Sequence, residues 1–253
     1  MRIPRIYTGQ ELRGNTSIAL EPGSSAHIAH VLRMRKGDKL TLFDGVDGEY
    51  PATIATIDKK KVVVITGAHQ ARELESNLHI HLGIAISRGD RMDWMVQKAT
   101  ELGVNVLTPL FTERTEVKLA GERAAKKIHH WQQIAISACE QCGRNRLPAI
   151  EALQDVASWL ASTDAARKFV LHHRADSIGG AGDKPASIAL LVGPEGGLSD
   201  QEISAAEQAG FQSLCLGPRV LRTETAPLAA IAILQAHWGD MQHYKVVPLD
   251  TLS

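Results

Sequence analysis

Residues 188–202 read IALLVGPEGGLSDQE, and this stretch predicts three consecutive structural features. The apolar run at 188–192, bounded by Gly and Pro, is typical of a buried parallel strand. Ser199 and Glu202 have the spacing of a capping box, in which both side chains satisfy free backbone N–H groups at a helix start. The glycine-rich segment 193–198 is therefore predicted to join the end of a strand to a helix that ends near Gly210.

A second loop of related composition follows about two dozen residues later along the chain. Residues 216–226 read LGPRVLRTETA, after a short strand predicted over 211–215 and before an apolar helix predicted over 227–238. In open α/β sheets, ligands bind outside the carboxyl ends of the strands, and glycines there let a ligand approach the backbone. The two loops are therefore a candidate ligand site, and the alternative is a pair of tight turns that bind nothing.

The rest of the sequence predicts an α/β protein of two domains. Residues 1–70 show short alternating strands, turn dipeptides and one helix over 25–34, a pattern that predicts a small β-barrel, PUA- or OB-like. Residues 71–77 are polar and are predicted to be a linker. In residues 78–245, strands alternate with helices, which predicts a parallel sheet. Besides the two loop units, this part has predicted strands at 78–86, 104–110 and 168–171 and predicted helices at 90–102 and 122–139.

Several further segments, together with the two loops, carry a family resemblance. They are RIPR at 2–5, HVLR at 30–33, KATELG at 98–103 and EQCGRNR at 140–146. In this order, over nearly the whole chain, they resemble the ribosomal RNA small subunit methyltransferase E family of the SPOUT class. The resemblance implies a C-terminal SPOUT-type domain with a deep trefoil knot, S-adenosylmethionine as methyl donor, and a homodimer. It also implies methylation of uridine N3 in 16S ribosomal RNA, either free or in the small ribosomal subunit.

By the same resemblance, residues of the two loops and of the strand ends contact S-adenosylmethionine. Backbone amides and carbonyls of glycine-containing loops can bind adenine, and aliphatic side chains can enclose its ring. The alternative for the leucines is an ordinary place in the core. The predicted donor-binding residues are Leu171, Val192, Gly193, Gly197, Leu216, Gly217, Val220, Leu221 and Thr225.

Methylation of uracil N3 also needs groups that handle its proton and the negative charge that spreads onto O2 and O4. The candidate catalytic residues are Arg222, which could stabilise that charge, Glu195, which could accept the proton, and Asn145, which could bind a uracil edge. Glu224 is another possible proton acceptor, or it satisfies a helix N-terminus instead. The candidate RNA contacts are Arg5, Arg33, Arg144 and Arg146, for which surface ion pairing is the alternative.

Composition sets bounds on these hypotheses. Lys and Arg number 28 and Asp and Glu number 28, so any RNA contact must use local basic patches. Neither a membrane-spanning apolar run nor a secretory signal is apparent, and a cytoplasmic protein without membrane association is expected. The three cysteines make no disulfide framework, and Cys139 and Cys142 are predicted to be structural. The histidines match no metal-binding motif, so no metal is expected.

Two other functions stay open on the sequence alone. One is a SPOUT methyltransferase with a different target, such as a ribose 2′-oxygen. The other is an RNA-binding module without catalysis, in which the α/β part serves as a scaffold.

Overall fold

The computed structural model describes residues 3–58, 61–172 and 183–243, which form two compact units. The first unit contains the described residues up to Glu75 together with Ala135–Leu147, and the second contains Ser76–Ile134 and the described residues from Pro148 onward. The predicted domain boundaries at 70 and 78 stay a prediction, and the outer ends of those domains, residues 1–2 and 244–245, lie outside the described residues. A single cut in the sequence does not separate the two compact units, because Ala135–Leu147 belongs with the N-terminal part.

The first unit is built on a five-stranded mixed sheet in the order β1-β3-β4-β5-β2. Strands β1 and β3 pair in parallel and the other neighbours are antiparallel. One face of the sheet is apolar, and its buried side chains, including Ile6, Leu42 and Val64, form the core of this unit. The strands are β1 (Arg5–Tyr7), β2 (Ser17–Ala19), β3 (Lys39–Phe43), β4 (Tyr50–Ile57) and β5 (Val62–Thr66).

The helix predicted over 25–34 was wrong in its extent. Helix α1 covers Pro22–Ala26, and a π-helical turn follows at His27–Val31. The helix starts earlier than predicted because Pro22 lies in its first turn, where the missing N–H of proline costs nothing.

The residues predicted to be a linker make ion pairs within the first unit. A guanidinium nitrogen of Arg72 lies 3.0 Å from the carboxylate of Glu49, and the carboxylate of Glu75 lies 2.6 Å from the guanidinium of Arg144. The segment is therefore held by side chains distant in sequence, which its polar composition could not reveal.

The second unit is built on a seven-stranded parallel sheet, as predicted. Six strands follow the order β12-β10-β11-β6-β7-β8, and β9 pairs with β7. Its strands are β6 (His79–Ala85), β7 (Val106–Phe111), β8 (Ala149–Ile150), β9 (Gln154–Asp155), β10 (Arg167–Leu171), β11 (Ser187–Val192) and β12 (Gln212–Leu214). The helices are α2 (Arg91–Glu101), α4 (Val156–Ser162), α5 (Asp200–Gln208) and α6 (Ala226–Trp238), and a 3₁₀ turn covers Met241–His243. Helix α3 (Gly121–Cys142) begins in this unit, and its residues from Ala135 onward belong to the first unit.

The centre of this sheet is covered on both faces. Successive residues of β11 are buried although they point to opposite sides, which explains why its sequence is a continuous apolar run. The neighbouring strand β6 carries Gly83, where a Cβ atom would lie 2.6 Å from the ring of Trp159 on α4. The indole N–H of Trp159 donates to Nε2 of His81 at 3.1 Å, and burial lowers the pKa of His81 to about 4.

Candidate functional site

The two glycine loops lie side by side and enclose a cavity of about 340 Å³ at the carboxyl ends of β10, β11 and β12. Ligand pockets in proteins have volumes of this order. Eight of the nine residues predicted to bind the methyl donor line it, and Thr225 does not. The eight are Leu171, Val192, Gly193, Gly197, Leu216, Gly217, Val220 and Leu221.

The first loop of the cavity has a fixed conformation. Ser199 caps α5 by accepting a hydrogen bond from the backbone N–H of Glu202, and the Glu202 carboxylate accepts one from the N–H of Ser199 at 2.8 Å, as the capping box predicted. Within the loop, Gly197 has a φ of 71°, and its N–H donates to the carbonyl of Pro194 at 2.8 Å. Only a residue that tolerates a left-handed backbone makes this turn at low cost.

Arg114, on the segment after β7, forms hydrogen bonds with the same loop. Its Nη1 donates to the carbonyl of Gly196 at 2.9 Å and lies 3.4 Å from that of Leu198, and its side chain lines the cavity. The backbone N–H of Glu113 donates to Oε1 of Glu202 at 2.8 Å, which adds a second link between the two segments. Sequence reasoning missed Arg114, and the available signal was its position at the carboxyl end of a predicted strand.

The second loop turns at Gly217, whose φ is 98°, and enters α6 through a turn in which the N–H groups of Thr225 and Ala226 donate to the carbonyl of Arg222. Thr225 takes the position before α6 without a side-chain cap and stays outside the cavity lining. Val220 is 80% exposed although it lines the cavity. One apolar wall of the cavity therefore also faces solvent.

Charged side chains surround the cavity at its open side. Glu195 lines the cavity, and one of its carboxylate oxygens accepts a hydrogen bond from Arg91 at 2.9 Å. Arg91 also lies 4.0 Å from Glu224, and Glu224 lies 4.0 Å from Arg222. The side chain of Arg222 is 78% exposed and does not line the cavity, so this cation of the second loop is open to solvent.

Comparison with known proteins places this geometry in a family. A model of the RNA methyltransferase domain matches residues 74–235, and a model of the RNA methyltransferase PUA domain matches residues 22–66. The chain is 40% identical to the ribosomal RNA small subunit methyltransferase E of Buchnera aphidicola (subsp. Schizaphis graminum), over 95% of this chain and 98% of that protein. The chain belongs to the ribosomal RNA small subunit methyltransferase E family.

Other members of the family show the same similarity in sequence and in structure. The Bacillus subtilis protein of that name is 30% identical, over 90% of this chain and 93% of its own length. A crystal structure of the Neisseria gonorrhoeae methyltransferase E, bound to S-adenosyl methionine, is 40% identical, covers 95% of this chain and 100% of that one, and gives a TM-score of 0.90. A Legionella pneumophila methyltransferase with bound cofactor SAM is 43% identical, with coverage of 95% and 100% and a TM-score of 0.92.

The EQCGRNR segment at 140–146 lies in the first unit, and its middle residues, Gly143, Arg144 and Asn145, are buried there. Asn145 is fully buried, its amide oxygen accepts a hydrogen bond from Arg5, and its amide nitrogen donates to the carbonyl of Arg72 at 2.6 Å. Both polar groups of Asn145 are thus occupied by protein. This arrangement argues against the predicted hydrogen bond from Asn145 to a uracil edge.

The four arginines predicted to contact RNA fall into two pairs. Arg5 is ion-paired with Glu49 and Arg144 with Glu75, and both side chains are less than one-tenth exposed. Burial and pairing argue against phosphate contacts by these two, because each would first have to leave its carboxylate. Arg33 is exposed, and its φ of 53° is left-handed, whereas Arg146 is 57% exposed and pairs with Glu73 at 2.9 Å. Arg33 and Arg146 are therefore available to contact RNA.

Cys139, Cys142 and Cys215 form no disulfide. Cys139 is buried, and its hydrogen bond with Cys142, together with burial, raises the pKa of the Cys139 thiol, so it is poorly suited to nucleophilic chemistry. Among the described residues, no group of three or more His, Cys, Asp or Glu side chains is placed to hold a metal ion. No helix in the described part of the chain is long and apolar enough to cross a membrane.

Proposed function

We propose that this protein transfers a methyl group from S-adenosylmethionine to N3 of a uridine in 16S ribosomal RNA. The observation that carries the proposal is the cavity between the two glycine loops, in a chain of the methyltransferase E family. The Neisseria gonorrhoeae relative, 40% identical, was crystallised with S-adenosyl methionine. The cavity fits a nucleoside, because it combines backbone groups that glycines leave accessible with aliphatic walls from Leu171, Val192 and Leu216.

When bound, S-adenosylmethionine supplies an electrophilic methyl group, and the protein must present N3 in line with it. N3 of uracil carries a proton at neutral pH, and negative charge spreads onto O2 and O4 as that proton leaves. The exposed guanidinium of Arg222 is suited to stabilise this charge through a carbonyl oxygen. Glu195 and Glu224 are the candidate proton acceptors, and Arg91 lies 2.9 Å from the first and 4.0 Å from the second.

The direct test is methyl transfer to small ribosomal subunits, and to 16S RNA, prepared from a strain that lacks the gene. Mass mapping of the product nucleosides distinguishes the possible targets. A methyl group on a uracil base supports the proposal, and a methyl group on ribose supports a SPOUT enzyme of different target. Calorimetry without heat of S-adenosylmethionine binding would favour an RNA-binding module without catalysis.

The catalytic role of Arg222 has a separate test. Arg222→Ala is expected to lower kcat by about 100-fold while the affinity for S-adenosylmethionine changes less than about threefold, because the side chain lies outside the cavity lining. Arg219→Ala is the matched control, since Arg219 carries the same charge in the same loop and does line the cavity. Equal losses of kcat and donor affinity in Arg222→Ala would assign Arg222 to donor binding instead.

The proposal includes a homodimer, a knotted C-terminal domain and a cytoplasmic location, as in the family. Exposed apolar side chains support the dimer, since Ile233 on α6 is 42% exposed and Val220 is 80% exposed. Sedimentation at several protein concentrations tests the dimer, and Ile233→Lys should shift it towards monomer. The chain path through the two loops and α6 in an experimental structure tests the knot.

A further inference from the structure

A second cavity, of about 480 Å³, lies in the same unit and is lined by the segment between β7 and α3. Its apolar side is formed by the half-buried ring of Phe111 together with Val117 and Leu119. Lys118 and Arg123, both exposed, also line it. The cavity thus combines one aromatic ring with two cations.

The charges of this segment leave both cations available. Glu116 pairs with Arg88 at 2.6 Å, and Glu122 lies 3.8 Å from Lys126. Within residues 3–58, 61–172 and 183–243, no hydrogen bond or ion pair involves the side chain of Lys118 or that of Arg123. The cavity therefore presents positive charge that the described protein does not neutralise.

The second cavity and the proposed donor cavity share one turn of the chain. Thr115 lines the second cavity, and its neighbour Arg114 lines the donor cavity, so their Cα atoms are about 3.8 Å apart. The turn is well fixed, because the N–H of Thr115 donates to the carbonyl of Thr112, and the N–H of Thr112 donates to the hydroxyl of Thr115, both at 3.0 Å. The linings of the two cavities therefore meet at this turn.

We propose that this second cavity binds a nucleotide of single-stranded RNA that lies within a few residues of the methylated base. Its base stacks on Phe111, and Lys118 and Arg123 contact the phosphates on either side. Proteins bind single-stranded nucleic acid by this combination of an aromatic platform and a basic groove. The proposal rests on the proposed function, because it names where the RNA substrate of that same site is held.

The test measures binding of single-stranded oligouridylate by fluorescence anisotropy over a range of salt concentrations. Lys118→Ala/Arg123→Ala should weaken binding about tenfold at low salt, and the slope of log K against log salt should become shallower by about 1.4, for two lost phosphate contacts. Phe111→Leu, which keeps an apolar side chain but removes the ring, should weaken binding at least about fivefold without changing the slope. The matched control is Lys126→Ala, on α3 and outside the cavity lining, which should behave like wild type.

Two further measurements separate this proposal from the proposed function. The affinity for S-adenosylmethionine should be unchanged in all these variants, and KM for small subunits should rise in parallel with the loss of oligouridylate binding. If wild type methylates RNA but Lys118→Ala/Arg123→Ala binds oligouridylate as Lys126→Ala does, the RNA cavity is refuted and the methyltransferase stands. A parallel loss of donor affinity would also overturn it, because the segment would then only shape the donor cavity. Absence of methyl transfer by wild type would refute the proposed function itself.

Discussion

Gly193 and Gly196 lie three residues apart in the first loop of the proposed donor cavity and should respond differently to the same substitution. Neither has a left-handed φ, so alanine is compatible with the backbone at both. At Gly193, however, a Cβ atom would lie 2.9 Å from both the backbone nitrogen and Cγ of Leu198. At Gly196 the nearest atom is Cβ of Arg114, at 3.4 Å, which is ordinary contact.

Gly193→Ala therefore requires the backbone near Leu198 to move by about 0.6 Å to restore van der Waals distance. Overpacking of this kind costs about 1–3 kcal/mol, and the moved segment lines the donor cavity. Because the ligand requires the wild-type position of this segment, the same free energy is lost from binding. At 1.4 kcal/mol for each factor of ten, we expect the affinity for S-adenosylmethionine to fall by about 5- to 140-fold. Gly196→Ala should change it by less than about threefold.

Isothermal titration calorimetry with S-adenosylmethionine gives both affinities, and thermal unfolding of each variant checks that it is folded. Wild-type affinity in Gly193→Ala would refute the reasoning, since the loop would then adjust without affecting the ligand. Equal losses in both variants would also refute it, because the contact with Leu198 would not be the cause.

Three other expectations concern stability, each measured by urea unfolding. Arg144→Ala should cost about 3–5 kcal/mol because it leaves the buried carboxylate of Glu75 unpaired. Arg146→Ala, which removes an exposed ion pair, should cost less than about 1 kcal/mol. Equal costs for the two variants would contradict this expectation. Ser199→Ala should cost about 1 kcal/mol through loss of the helix cap. The control Ser204→Ala, at an exposed position of the same helix, should cost little. Equal stabilities of the two variants would show that the cap contributes nothing. The pKa of His81 is lowered from 6.5 to about 4, so the unfolded chain binds more protons than the folded one between these values. The free energy of unfolding should therefore fall by about 2 kcal/mol as pH drops from 7 to 5. The same fall in His81→Gln would assign the effect to other groups.

The sequence was sufficient for features that depend on neighbours in the chain. The capping box at Ser199 and Glu202 needs only a spacing of three residues, and the apolar run before it needs only a sheet covered on both faces. The adjacency of the two loops followed from a general property of parallel sheets, whose strand ends share one edge. For these reasons the predicted parallel sheet was confirmed, and the predicted loops lie around one cavity.

Sequence patterns carry no signal where the deciding partner is distant in sequence. Arg5 and Arg144 had the composition of an RNA-binding surface, but their carboxylates, Glu49 and Glu75, are 44 and 69 residues away. No pattern of spacing reveals such a pair. Helix α4 was missed for a different reason: it is only 7 residues long, and its best signal is the N-cap Asp155, whose carboxylate accepts from the N–H of Ser158 at 2.8 Å.

The buried pairing of the first unit has a consequence for how the protein is made. The buried partners of Glu75 and Arg5 include Arg144 and Asn145, which leave the ribosome almost eighty residues after the last strand of that unit's sheet. At translation rates of about 5–20 residues per second, the nascent N-terminal part waits several seconds before these side chains are synthesised. During that interval Arg5 and Glu75 lack their later neighbours, so this part of the chain cannot complete its polar interior until more than half of the polypeptide has been translated.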